Sequence, residues 1–273
     1  MRNLLSAQFA RLRKDKAFWI GMAFQFLFGL YAVVRRRMSA PDSAPDQLFF
    51  LFPVVLGIVL AAFCSWFLGT EYSDGALRNK LIAGHARSAV YLSNFFVCSA
   101  AGLLMSLSYL LAVAALGLPV LGFIQMDGKL FTVLLLVSLG TVTACVSLFV
   151  LLGMSSQNKA LSSVVCMLAL VVLFILAVAV NARLDEPEFD LSFTYSTNAG
   201  ESPAVDSRPN PAYLRGAARD AHQFILDLLP TGQALQLSNM SAKNLWQMPL
   251  YSLLVVIAST GYGVLSFRKK DIR

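Results

Sequence analysis

The stretch Glu71–Ser88, EYSDGALRNKLIAGHARS, is a polar interlude between two of the longest apolar runs of the chain. It decides the fold because it marks where one membrane-length run stops and the next begins. Asp74 or Ser73 can cap a short helix, Leu77, Leu81 and Ile82 give it an apolar side, and Gly84 can end it in the left-handed conformation. Arg78, Lys80 and Arg87 assign it to the cytoplasmic side, where short loops between spans collect positive charge. A capped helix held at the membrane surface by two flanking spans can be displaced as a unit. The plainer reading is a solvated loop whose charges only set topology.

Composition agrees with the apolar runs. With 57% hydrophobic and 14% charged residues and a mean hydropathy of +0.66, the chain lies outside the range of soluble domains. Its runs are continuous and do not alternate, which predicts helices crossing roughly 30 Å of hydrocarbon and excludes a barrel. The net charge of +7 is carried by residues flanking these runs, so it reads as topology and not as a nucleic-acid surface. Cys64, Cys98, Cys145 and Cys166 all fall inside apolar runs, a placement that predicts neither disulfides nor a metal site.

Working outward from residue 71, the preceding run, 48–68, is crowded with Phe49, Phe50, Phe52, Phe63, Trp66 and Phe67, a density expected of packing and interface anchoring. Before it, Pro41–Asp46 reads as a turn-rich outer loop, and 18–34 as the first span, near the short limit. That span ends in Arg35, Arg36 and Arg37 on the outer side, against the positive-inside trend. Their guanidinium groups either snorkel to outer headgroups or hold an anionic lipid or substrate group. Residues 1–16 place Leu5, Phe9 and Leu12 on one stripe among basic residues, the pattern of an interfacial helix or of a passive basic tail. No removable signal peptide is expected.

On the other side of the polar stretch, spans are expected at 91–116, 130–152, 160–180 and 248–267. Pro119 and Gly122 loosen the outer end of the first of these. Gly140 and Ala144 permit close helix approach in the second, where Ser138, Thr141, Thr143 and Ser147 bond their own helix or a neighbour. Ser155–Lys159 is an inner turn. The long polar segment 181–246 is external: Arg183–Pro211 reads as an irregular loop, then Leu214, Ala217, Ala221, Phe224 and Leu228 form a helical stripe that Pro230, Thr231 and Gly232 stop. The prediction is an all-α membrane protein, one domain over 1–273, with six spans, an N-terminal interfacial helix, a cytoplasmic helix in 71–88, an outer helical segment and both termini cytoplasmic.

The spans as drawn contain no charged residue, which argues against ion-coupled transport. No phosphate-binding G-x-x-x-x-G-K-[ST] loop is present, and His85 and His222 lack ligand spacing, so neither nucleotide nor metal binding is expected of this chain. No paired catalytic groups suggest an enzyme.

Three segments resemble a known family. Glu71-Tyr72-Ser73-Asp74-Gly75-Ala76-Leu77-Arg78-Asn79-Lys80 is similar to the cytoplasmic loop of bacterial ABC transporter permeases of the type-2 exporter family. Phe224–Gln233, FILDLLPTGQ, looks like its outer segment before the last span, and Phe267–Ile272, FRKKDI, like its tail. The order of elements agrees over the whole chain. The resemblance implies a half-transporter in the bacterial cell membrane, paired with a second permease copy or a homologous permease. A separate ABC ATP-binding subunit would bind ATP and Mg. Glu71, Tyr72, Ser73, Asp74, Gly75, Leu77, Arg78, Asn79, Lys80 and Leu81 would couple to that subunit. Arg35, Arg36, Arg37, Phe224, Leu228 and Pro230 would serve as outer gate or membrane-lipid contacts. The implied function is ATP-driven export of a hydrophobic or amphipathic compound by alternating access. The alternative is a non-transporting immunity or sensor protein with 181–246 as its binding face.

Overall fold

Each long apolar run becomes one helix, because a backbone in hydrocarbon must pair all its polar groups internally. A computed structural model describes residues 2–40, 44–156, 158–194 and 204–270, with backbone alone over 190–194 and 204–207. Pro41–Ser43 of the outer loop, Gln157 of the inner turn, 195–203 and the tail Asp271–Arg273 lie outside the described residues. Among the described residues, six segments are long and apolar enough to cross a membrane: Lys16–Ser39, Asp46–Ser73, Arg87–Leu121, Gly128–Ser155, Lys159–Asp185 and Met248–Lys269. The chain is an all-α membrane protein.

The chain begins with α1 (Arg2–Lys14), and Asp15 then accepts hydrogen bonds from the backbone of Ala17 and Phe18 to cap α2 (Lys16–Ser39). At 24 residues α2 is longer than expected and carries Arg35–Arg37 in its final turns, so the first span is not short. A 3-10 turn, Asp46–Phe50, leads into α3 (Phe52–Ser73), with Pro53 in the first helical turn, where its missing N–H costs nothing. The short α4 (Ala76–Ile82) follows. Then α5 (Arg87–Ala112) widens into a π turn at Val113–Gly117 before α6 (Leu118–Leu121). The wider turn spares the carbonyl that the Pro119 ring would strike in a regular helix.

Helices α7 (Gly128–Ser155) and α8 (Lys159–Asp185) are joined by a turn in which Asn158 caps α8. Residues 189–194 and 204–209, expected as irregular, instead pair as antiparallel strands β1 (Phe189–Thr194) and β2 (Ala204–Pro209), with Phe189 opposite Pro209. The alternation in FDLSFT is a strand signal that the Asp, Ser and Pro content masks. The chain closes with α9 (Ala217–Leu228), α10 (Pro230–Ser238) and α11 (Met248–Lys269).

Helices α3 and α7 form the centre: 67% and 61% of their apolar windows are buried, against 22% for α8 and α11. Helix α7 packs on α3, α5, α8 and α11, while α2 lies along α5. Buried Phe52, Leu56, Leu60, Phe63 and Phe67 of α3 meet Val142, Val146 and Phe149 of α7 in one core. In lipid such packing rests on close fit, not on escape from water. Gly263 of α11 shows the fit at its tightest, since a Cβ there would lie 2.0 Å from the Tyr91 hydroxyl of α5. All four hydroxyls expected to bond do so: Ser138, Thr141, Thr143 and Ser147 each donate to a carbonyl of α7.

Candidate functional site

At the end of the bundle that carries both termini, a polar cluster joins α1, α3, α4 and α5. Its centre is Glu71, which belongs to the last turn of α3 and is fully buried. Gln8 Nε2 donates to one carboxylate oxygen at 2.9 Å, and Asn94 Nδ2 donates to the other at 2.7 Å. Gln8 also donates to Asn94 Oδ1. Lys80 of α4 is ion-paired with the same carboxylate, and Arg11 stands 3.8 Å away. Arg11 in turn lies over the Phe67 ring at 4.2 Å and donates to the Phe67 carbonyl and Thr70 Oγ1. A buried carboxylate is tolerable only with this degree of compensation.

Burial, and then the like charge of Arg11, pull the Lys80 ammonium down to about 7. Burial also pulls the Arg11 guanidinium below its ordinary value, opposed by the carboxylates of Asp15 and Asp74.

The turn between α3 and α4 differs from expectation. Neither Ser73 nor Asp74 caps α4; Gly75 holds the N-cap position with φ +66°, a left-handed conformation that suits glycine. Ser73 donates instead to the Thr70 carbonyl, and Asp74 ends α3. Gly84 adopts φ +82° just past the helix. Leu77 is buried and Leu81 half-buried, but Ile82 is 73% exposed, so it lies with Arg78 and Asn79 on the outward face and not on the packed one. Tyr72 points away from this face and donates to the Met154 carbonyl at 2.8 Å. Of the ten residues expected to couple, Glu71, Tyr72, Leu77 and Lys80 therefore anchor the helix. Ser73, Asp74, Arg78 and Asn79 are presented outward.

A second anchor sits beside the first. Lys270 Nζ, just past α11, donates to the carbonyls of Met154 and Ser155, both at 2.8 Å, and lies 5.0 Å from the Tyr72 ring. Arg87 at the start of α5 donates to the Lys270 and Arg268 carbonyls. Burial holds the Lys270 ammonium below its ordinary value.

The opposite end holds another buried carboxylate. Asp227 accepts from Gln223, Gln236 and Asn244, at 2.8, 2.9 and 2.8 Å. Gln233 binds four elements together: it accepts from Thr141 of α7 and Ser252 of α11 and donates to the carbonyls of Asp227 and Met248. The stripe expected on α9 is reversed, because Phe224 is half exposed against Tyr251 while Asp227 faces inward. The stop expected at Pro230 stands, since α9 ends at Leu228 with Leu229 extended, and the same proline then opens α10 and is buried there. Arg36 donates to Gln47, whose amide reaches the Ser238 carbonyl at the end of α10, and Arg35 donates to Ser39. The expected outer set thus divides: the arginines border α10 from the α2 side, and Phe224 packs toward α11.

Sequence reasoning missed Gln8, Arg11, Asn94, Asp227 and Gln233. Gln8 had a signal, standing midway between Leu4 and Leu12 on the stripe that is buried, displaced by one residue from the stripe through Leu5 and Phe9. Asn94 is a lone amide in an apolar run.

A comparison with curated proteins gives no match. The family model described as ABC-2 family transporter protein matches residues 4–176, a range that includes α1 through most of α8 and therefore the whole polar cluster around Glu71. With well over half of its length matched and six helices fit to span a membrane, the chain belongs to the ABC-2 family of transporter membrane proteins.

Proposed function

We propose that this chain is the membrane-spanning permease of an ATP-driven exporter, with both termini cytoplasmic in a bacterial cell membrane. A separate ATP-binding subunit, holding ATP and Mg, docks on the outward face of α4. The observation that carries this reading is the Lys80–Glu71 ion pair. It fixes a seven-residue helix, too short to be stable alone, to a carboxylate that also holds α1 and α5. A push on Arg78, Asn79 or Ile82 thus reaches three other helices at once. The end carrying α4 also holds most of the Lys and Arg and few of the acids, which supports its cytoplasmic placement.

In this reading the permease acts with a second copy or a homologous permease, and closure of the paired ATPases moves each α4 with its anchor to alternate the access of the path. The substrate class is a hydrophobic or amphipathic compound, in keeping with spans whose charged groups are confined to their ends. The test is co-purification with the ATP-binding subunit, followed by substrate-stimulated ATP hydrolysis in liposomes. Arg78→Ala with Ile82→Asp is expected to release the subunit, or to lower stimulation roughly tenfold. Retention of both in this double variant overturns the reading.

A further inference from the structure

A cavity of about 300 Å³ lies between the end of α2 and the start of the second span, at the end of the bundle opposite the termini. Its two halves differ in chemistry. Phe28, Tyr31, Leu48 and Leu51 give an aromatic and aliphatic floor, and Arg35 and Arg36 stand at its rim. Phe28 and Tyr31 stack at 6.5 Å, and Phe28 meets Tyr109 at 5.7 Å, so the rings of the floor pack on one another and on α5. Among the described residues neither arginine meets a carboxylate. Asp46, the nearby acid on the next element, is turned away and accepts from the Gln125 backbone. Arg35 donates to Ser39 and Arg36 to Gln47 Oε1, while the Arg36 Nε is buried without a hydrogen-bond partner among the described residues. A buried donor left open, beside a second cation over an apolar floor, suits an acceptor that the described residues do not supply.

We infer that Arg35 and Arg36 form a site for an anionic phospholipid of the bilayer, its phosphate on the two guanidinium groups and the start of an acyl chain on Phe28, Tyr31 and Leu51. The location fits, since both arginines occupy the last turns of a spanning helix, at the depth of headgroups. The chemistry fits as well: guanidinium forks match phosphate oxygens in pairs. A free anion would use the rim and leave the floor empty. A zwitterionic lipid would bring its own cation against two arginines. The inference needs only a membrane-spanning chain, and stands whether or not an ATPase drives it.

The experiment uses the full chain, delipidated in detergent and titrated with phosphatidylglycerol or with phosphatidylcholine of the same acyl chains, bound copies being counted by native mass spectrometry. One phosphatidylglycerol is expected to bind roughly tenfold or more tightly than phosphatidylcholine. Arg35→Gln with Arg36→Gln removes the preference, and Arg35→Gln alone, an exposed change, removes part of it. Arg37→Gln, on the same turn but outside the cavity lining, leaves it intact, and millimolar inorganic phosphate does not displace the lipid. Equal affinity for the two lipids, a loss on Arg37→Gln as large as that of the pair, or displacement by phosphate overturns the site.

Discussion

The ammonium of Lys80 rests on the carboxylate of Glu71 across the Asp74–Gly75 turn, and this contact between α3 and α4 organises the polar cluster at one end of the bundle. Removing either partner leaves the other charge in a place built for a pair. Lys80→Met or Glu71→Gln is expected to cost about 2–3 kcal/mol, and the double variant less than the sum of the two. Thermal unfolding in detergent measures this; strict additivity would show that the charges do not interact.

The same contact depends on pH. With α4 docked, Lys80 titrates near 7; undocked, it returns to the ordinary lysine value of about 10.4. The docked state therefore binds fewer protons between these values: burying the ammonium costs more than its pair with Glu71 returns, so docking strengthens as pH rises from 7, the neutral amine still donating to the carboxylate, and is at its weakest, and flat, below 7. A spin label at Asn79→Cys, readable because the four native cysteines are buried, should lose mobility as pH rises from 7 to 9. The trend should vanish in Lys80→Met.

The two faces of α4 separate anchoring from presentation. Leu77→Ala empties a buried site and should cost about 2–4 kcal/mol. Arg78→Ala and Ile82→Asp fall on the exposed face of α4 and should shift stability by no more than about 0.5 kcal/mol. Melting curves of the three variants distinguish these outcomes, and equal destabilisation by Ile82→Asp would contradict its outward placement.

Lys270 donates to two carbonyls at the end of α7: that of Met154, which it shares with Tyr72, and that of Ser155, for which it is the side-chain donor among the described residues. Lys270→Ala is expected to cost about 1 kcal/mol. Hydrogen exchange should rise over the last turn of α7 while the α4 region stays protected.

Gln233 is the corresponding keystone at the other end. Gln233→Leu leaves the Ser252 hydroxyl without this acceptor and two carbonyls without a donor, while Thr141 keeps the Val137 carbonyl, a loss of about 2–3 kcal/mol. Gln233→Glu restores the acceptor but not the donor, and should recover part of the melting temperature.

Legibility in the sequence followed solvent. Six apolar runs divided by charged turns left one helical arrangement, and the positions of α3, α5 and α7 could be read within a few residues. Which face of a helix points inward was harder. For α9 the rule that apolar stripes turn inward misleads, because the helix packs beside spans and its Asp227 and Gln223 meet Gln236 and Asn244 there. For Glu71 the charge suggested a loop, yet α3 continues to Ser73 because Gln8 and Asn94, distant in the chain, offer it donors. Long-range amide pairs of that kind leave no periodic trace.

Gly263 and Tyr91 set a mechanical limit on the molecule. With the tyrosine ring seated where only a hydrogen atom leaves room, α11 cannot climb or descend along α5 by a helical step without carrying a bulkier residue into that notch. Sliding between the two is blocked while pivoting about the notch is not, so any travel along the membrane normal carries the C-terminal span and α5 together.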